Sequence, residues 1–468
     1  MPSSDAIIHA INTRLDEIYT DLEQNIIRVW GRRDIIIAVD LVYHSVLSFF
    51  LQESFIQRGY LELLVIGDSG QAKTETIRKM RAHYELGEII SGETASRTGL
   101  VYSIQENQRR RFLQWGAIPL NDRRLLIIDE FSGIAPEEIE NMSSLRASGI
   151  AEVNRSIKSK TASRTRLIFL SNSRDGRMLA EYQCGVEAIE KLFTKKEDIR
   201  RLDFAVTVAS GEVPTSEINK KHKSQIKHVF LGRDCRNLIL WAWSRKPSQV
   251  LFSSSTIDTI LEVASKISRQ YHANIPLVEP ADMRIKLARL SAALAARLYS
   301  TTDGENLIII PEHTIWIYNF LVRIYDKPSM AYNLYSQERY EESKIKDEKF
   351  VRSVVGTISL NSIEFVKRLL QLKQIAIMDI EVLTNDRDKA KSFLTQLYLA
   401  NAIKKVRTYY VHTSAFIILL KRIINEAEGT TIAEPQYNQK QLEDSKVDSA
   451  FEYTLYDGRA REPGDDDN

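Results

Sequence analysis

The chain has 468 residues, 43% hydrophobic and 27% charged, which is the composition of a globular protein with a sizeable core and excludes a disordered one. At roughly 150 residues per domain, that length suggests about three units, or one large body with appendages. Sixty-four Lys and Arg against 62 Asp and Glu leave a formal charge of +2, so any affinity for nucleic acid must come from local patches and not from the field of the whole molecule.

No apolar run approaches the ~20 residues of a membrane span, and Asp5, Arg14, Asp16 and Glu17 interrupt the start where a signal peptide would be apolar. The expectation is a cytoplasmic protein with no membrane partner. Cys184 and Cys235 are too few for a Cys-rich zinc module or a disulfide framework.

From the start to about residue 30, Ile7, Ile8, Ile11, Leu15, Ile18, Leu22 and Ile26 recur at helical spacing, which predicts one or two amphipathic helices. A second apolar helix is expected over Ile35 to Leu51, leading into a hydrophobic run from Leu61 to Ile66 that Gly67 closes. Short β-rich runs recur at Arg124 to Ile128, Arg166 to Ser171 and Phe204 to Ala209, separated by helical stretches. That alternation predicts an α/β fold with a parallel sheet flanked by helices. From about residue 235 helical periodicity takes over, in Thr256 to Tyr271, Met283 to Leu298 and Pro311 to Tyr325. Ser336 to Asp347 reads as a linker or a solvated helix, and Phe350 to Ile424 as short helices followed by a basic β-hairpin at Ile403 to His412. Residues 426–468 hold 12 acidic and 4 basic side chains and read as a disordered tail. The expected divisions are thus 1–28, 29–234, 235–335, 348–425 and 426–468.

Gly67-Asp68-Ser69-Gly70-Gln71-Ala72-Lys73-Thr74, between a strand and a helix, has the spacing of a phosphate-binding loop, with Ala72 where the general pattern has Gly. Its amides would cradle the phosphates of ATP, Lys73 would reach the β and γ oxygens, and the Thr74 hydroxyl would hold Mg²⁺. About 55 residues on, the apolar strand Leu125 to Ile128 ends in Asp129 and Glu130. Successive strand residues face opposite ways, so Asp129 can join the metal shell while Glu130 polarises an attacking water. Asn172 closes the next strand and either positions the water or γ-phosphate or forms a turn. Arg200 and Arg201 precede the following one; in a ring ATPase such an arginine acts on a neighbour's nucleotide, and the plain alternative is a surface salt bridge.

With these residues in place, the chain resembles the ATPase domain of the minichromosome maintenance (MCM) helicases, within the AAA+ superfamily, over roughly residues 28 to 325. The resemblance begins at Val29-Trp30-Gly31-Arg32-Arg33-Asp34-Ile35, and Gly-Asp-x-Gly-x-Ala-Lys is that family's variant of the loop, so Ala72 supports it. Ser69 and Thr74 depart from the usual Pro and Ser. Ser91 to Leu100 is similar to the family's Ser- and Gly-rich stretch, and Trp115 to Asp122 to its run before Asp129-Glu130-Phe131. The resemblance implies that Asn172 is the first sensor, Arg201 the arginine finger and Leu240 to Leu321 the lid. Arg289-Leu290-Ser291 matches a lid motif, but the second-sensor arginine is out of register, and Arg284 is carried to that role. The family's N-terminal zinc-bearing domain has no counterpart in the segment before the core, which suggests a truncated relative of the kind found in mobile elements and phages.

Two inserts in the resembling region are candidate pore hairpins: Val101 to Gln114, with Arg109, Arg110 and Arg111, and Ile150 to Arg166, with Arg155, Lys158, Lys160, Arg164 and Arg166. Basic side chains without interleaved aromatics suit sequence-independent phosphate tracking; a solvated outer charge run is the plain alternative. In the last module, which is similar in layout to a winged helix, Lys404, Lys405 and Arg407 with Tyr409 and Tyr410 either contact a duplex or form an exposed hairpin. The reading is a homo-hexameric ATP- and Mg²⁺-dependent DNA helicase of replication, with single- or double-stranded DNA as partner and an initiator or primase as a candidate protein partner. The alternatives are an AAA+ remodelling ATPase acting on proteins, and a nucleotide-switched initiator or defence scaffold on DNA.

Overall fold

The structure is a computed structural model, and it describes residues 10–94, 97–107, 110–154, 157–214, 216, 230–271, 274–343, 348–359, 363–372, 374–406 and 408–428. The chain divides into two compact units, Met1–Glu341 and Glu342–Asn468.

The first unit is built on a five-stranded parallel sheet. Its strands in chain order are β1 (Glu62–Gly67), β2 (Glu88–Ser91), β3 (Leu125–Asp129), β4 (Arg166–Ser171) and β5 (Phe204–Val208), and their spatial order is β5-β1-β4-β3-β2. Four of these are buried along their whole length, as expected of uninterrupted apolar runs covered on both faces. The exception is β2, whose side chains are exposed or half-buried at the sheet edge. Because β1 has β5 on one side and β4 on the other, the carboxyl ends of β1, β4 and β3 open onto one crevice, where ligands bind in open α/β sheets.

Helix α1 (Arg33–His44) runs across the sheet with Ile35 to His44 all buried. The expected helix over Ile35 to Leu51 therefore ends early, and Phe49–Leu51 pairs instead with Ser54–Ile56 as a hairpin. The stop is set from a distance: Arg166 donates from Nε and Nη2 to the Ser45 carbonyl, at 3.0 and 2.6 Å, fixing the extended C-cap residue. Helix α2 (Lys73–Tyr84) follows the loop after β1, and α3 (Pro136–Ser148) starts on Pro136 and stops at Gly149 in the left-handed region. Beyond β5 come α4 (Gly232–Ser244), α5 (Ser254–Gln270), α6 (Pro280–Arg297) and α7 (Pro311–Tyr325), the helical region that the periodicity predicts. The Ser336 to Asp347 stretch begins as helix, within Tyr332–Ser343.

A fully buried ionic cluster ties α6 to this body. Arg297 donates to Asp40 of α1 at 2.6 Å, and Tyr84, the last residue of α2, donates to the other carboxylate oxygen at 2.6 Å. Burial pushes the Asp40 carboxyl up, but Arg297, His44 and Tyr84 outweigh it and hold it well below the usual carboxylate range. Arg297→Ala strands that carboxylate and is expected to cost about 3–5 kcal/mol in urea unfolding. The depressed folded pKa makes the Asp40 contribution complete above the unfolded value of ~4 and progressively lost as pH falls below it. A variant lacking Arg297 should accordingly lose part of the parent's acid dependence; equal slopes in both would show that the pair is not linked to stability.

The second unit has its own core around Val351, Phe365, Leu369, Ile380, Phe393, Leu397 and Phe416. Its order is α8 (Glu348–Ser359), α9 (Ile363–Gln371), a bridge at Ile375, α10 (Ile377–Thr384), α11 (Arg387–Leu399), the hairpin Ile403–Val406 with Tyr409–His412, and α12 (Ser414–Glu428). The acidic tail beyond α12 lies outside the described residues.

Candidate active site

The loop from Gly67 to Thr74 leaves the carboxyl end of β1 and enters α2 through Ala72, whose φ of 57° lies in the left-handed region. Such a backbone costs a residue with a Cβ about 1–2 kcal/mol, a strain that Ala72 bears where the general loop pattern has Gly. Gly70, at φ +74°, would meet nothing within 4 Å among the described residues if it carried a Cβ, so the loop is open on that side. Asp68 turns away from that side and accepts the amides of Leu179 and Ser210, at 2.8 and 2.7 Å, anchoring the loop to the segments after β4 and β5. Arg32 donates to the Gln71 carbonyl and side chain, holding the loop from the other flank.

Lys73 folds back so that Nζ donates to the Gly67 and Asp68 carbonyls and to Asn172 Oδ1, at 2.8, 2.7 and 2.8 Å. Burial lowers the Lys73 pKa to about 8, with Asp68 and Asp129 pulling the other way. One bond thus joins the loop lysine to the asparagine at the end of β4, two residues that lie 99 apart in sequence.

The two carboxylates diverge. Asp129 accepts the Thr74 hydroxyl at 3.1 Å and faces Arg78 at 3.7 Å. Glu130 is exposed, sits at φ +55°, and accepts the Ser91 hydroxyl at 2.7 Å. Gly92 packs so closely that an added Cβ would lie 2.6 Å from the Glu130 carbonyl, so the end of β2 must be glycine for the chain to reach this carboxylate. Ser91 is the site residue the sequence reading missed, because its role comes from strand pairing opposite Asp129.

Arg201 lies elsewhere. It caps the helix Lys196–Arg200 at the amino end of β5, beside a cavity of about 260 Å³. The cavity is lined by Arg58, Arg200, Arg201, Lys286 and Arg289 with Glu197 and Asp282, an excess of positive charge. Among the described residues Arg201 meets Asp198 only at 3.5 Å and its buried Nε has no hydrogen-bond partner; burial lowers its pKa. Arg284 is exposed on α6 and does not line the cavity, whereas Arg289, one helical turn and a residue further on, does. Asp203 accepts the Glu62 amide, so the cavity sits at the opening end of β1, and five residue steps at about 3.3 Å separate it from the phosphate loop by about 16 Å.

Residues 6–210 match the family described as the MCM P-loop domain. The first unit thus carries an MCM-like P-loop domain over residues 6–210. It is 28% identical over 125 residues to the DNA replication licensing factor Mcm5 of Drosophila melanogaster, a stretch that is 26% of this chain and 17% of that protein. It is 26% identical over 125 residues to mcm5-A of Xenopus laevis, with the same coverage, and 31% identical over 90 residues to mcm-5 of Caenorhabditis elegans, which is 19% of this chain and 12% of that protein. The matched segment thus spans less than a fifth of those relatives.

Both inserts of the MCM-like domain are antiparallel hairpins, Tyr102–Asn107 with Arg110–Trp115 and Ile150–Asn154 with Lys158–Ala162. In the second, Ala151 and Val153 are buried while Lys158 and Lys160 share the exposed face, and Lys160 pairs with Glu152 at 3.0 Å. Two of the arginines expected to touch DNA are engaged inside the protein instead. Arg166 is buried against carbonyls and the Trp243 ring, and Arg164 is held by Asp122. In the first hairpin Arg111 pairs with Glu106 at 3.1 Å; Arg109 and the Arg110 side chain lie outside the described residues, as does Arg155. In the second unit Lys404 and Lys405 are exposed on the hairpin, and Arg407 lies outside the described residues. No helix among the described residues is long and apolar enough to cross a membrane.

Proposed function

We propose that this chain is the subunit of a ring, a homo-hexamer, that hydrolyses ATP to translocate on and unwind DNA during replication in the cytoplasm. The observation that carries the reading is the separation of the two halves of the site. Lys73, Thr74, Asp129, Glu130 and Asn172 gather at the carboxyl end of the sheet, while Arg201 faces a cationic cavity at the amino end. Arg201 cannot serve its own phosphate loop across that distance, so a complete site takes one half from each of two copies. Lys73 neutralises phosphate charge, Asn172 holds Lys73 in place and offers its amide beside it, and Glu130 takes the proton of the attacking water once it leaves Ser91.

The Thr74 hydroxyl and the Asp129 carboxylate supply the hard oxygen donors that suit Mg²⁺, a metal that keeps several waters and needs few protein ligands. Bound there, Mg²⁺ would offset charge on the phosphate oxygens.

DNA would run over the exposed lysine face of the second hairpin, with Arg111 on the first, and the second unit, read as winged-helix-like, would present Lys404 and Lys405 to a duplex. Lys158→Ala with Lys160→Ala should weaken DNA binding evenly across sequences and flatten the dependence of log K on log salt by about one unit for each phosphate no longer neutralised, with unwinding abolished. Lys160 must leave Glu152 to reach a phosphate, so Lys158→Ala should carry the larger part. Normal strand separation by the folded double variant would remove this hairpin from the mechanism.

A further inference from the structure

The cations around the cavity are not equally committed. Arg58 donates from Nη2 to the Arg201 carbonyl at 2.8 Å and to Asp203 at 3.0 Å; Arg289 donates to the Arg58 carbonyl and to Asp203; Lys286 donates to the Leu277 carbonyl at 2.8 Å. These three are built into the wall. Arg200 is different: it stands at the mouth, 45% exposed, and its guanidinium is clamped in a bidentate pair by Asp282, with Nε on Oδ2 and Nη2 on Oδ1 at 2.9 Å. Asp282 lies in the first turn of α6, where a carboxylate is favoured by the helix dipole whether or not a cation is attached, so releasing Arg200 does not strand it. The pair also bridges the segment before β5 to the helical region, two parts of the first unit that are 82 residues apart in sequence.

We infer that Arg200 is a second phosphate-binding cation of the shared site, and that Asp282 competes for it with the γ-phosphate of the neighbouring subunit's ATP. The inference rests on the reading of the cavity as the half-site offered to a neighbour. A terminal phosphate carries more charge than a carboxylate and accepts the same planar bidentate fork, so it can displace Asp282. Arg200 then contributes to holding ATP, while Arg201, whose Nε has no hydrogen-bond partner among the described residues, acts on the developing charge. Emptying the neighbour's site returns Arg200 to Asp282 and re-forms the link to α6.

Steady-state ATPase on full-length assembled protein separates the two arginines. Arg200→Ala is expected to raise KM about tenfold with kcat within about twofold of the parent, and Arg200→Lys to fall between, whereas Arg201→Ala should act on kcat. Asp282→Asn removes the competitor and is expected to lower KM by up to about fivefold, the range set by a partly exposed ion pair, while Asp282→Glu keeps the charge and stays near the parent. In an Arg200→Ala background, Asp282→Asn should leave KM where it was. A KM that is unchanged or raised in Asp282→Asn, or the same drop without Arg200, overturns the inference. Complementation between Arg201→Ala and Lys73→Ala subunits, run on the same preparations, keeps the outcomes distinct: if complementation succeeds and the Asp282 effects are missing, only this inference falls; if it fails in intact rings, the shared site itself falls.

Discussion

Glu130→Gln is expected to bind ATP nearly as tightly as the parent and to lose turnover by about 10²–10⁴-fold. The loop cations and amides that hold phosphate are untouched by this change. What is lost is a carboxylate able to accept a proton, and Glu130 is the exposed member of the Asp129–Glu130 pair, its carboxylate tied among the described residues to the neutral hydroxyl of Ser91 alone. Asp129 cannot substitute for it, because its oxygens are already directed at Thr74 and Arg78. Binding of a fluorescent ATP analogue alongside a phosphate-release assay makes the separation, and hydrolysis retained in this variant would assign water activation to another group.

Arg201→Ala is expected to lose about 10³-fold or more in kcat, the scale of a missing transition-state arginine, while Lys73→Ala loses nucleotide affinity. The sharper expectation concerns their mixture. A ring containing both has interfaces where an intact phosphate loop meets an intact Arg201, so the mixture should recover activity that neither variant has alone. A mixture that assembles and stays inactive would place Arg201 in a structural role, as a partner of Asp198.

Much of this was legible because it is local. Uninterrupted apolar runs ending in Gly67, Asp129 and Asn172 are what a buried parallel strand with a loop at its carboxyl end must look like, and spacing points to Lys73, Thr74 and Asp129 sharing one crevice, whereas Asn172 also reads as a turn until its bond to Lys73 is seen. The i, i+2 placement of Lys158 and Lys160 put both on one exposed face, as the structure has it. What was not legible depends on distant partners. The end of α1 is fixed by Arg166, 121 residues away, and the same hydrogen bonds turn an apparent DNA-facing arginine into a buried brace. The edge strand Glu88–Ser91 lacks the apolar run of its neighbours, so it does not read as a strand, and Ser91 stands out only as the head of the family-like Ser- and Gly-rich stretch, with no role at the carboxylates. Arg284 and Arg289 lie on one helix, and only the packing of α6 against the turn before β5 decides which of them meets the cavity.

The most direct test of the central claim is the ATPase rate of the full-length protein with and without single-stranded DNA, at a fixed salt concentration. A DNA-driven motor is expected to hydrolyse ATP several-fold faster when the strand is present, with the stimulation lost in the Lys158→Ala, Lys160→Ala protein. A rate that DNA leaves unchanged, and that a protein partner raises instead, would contradict the account and move the activity to remodelling of proteins.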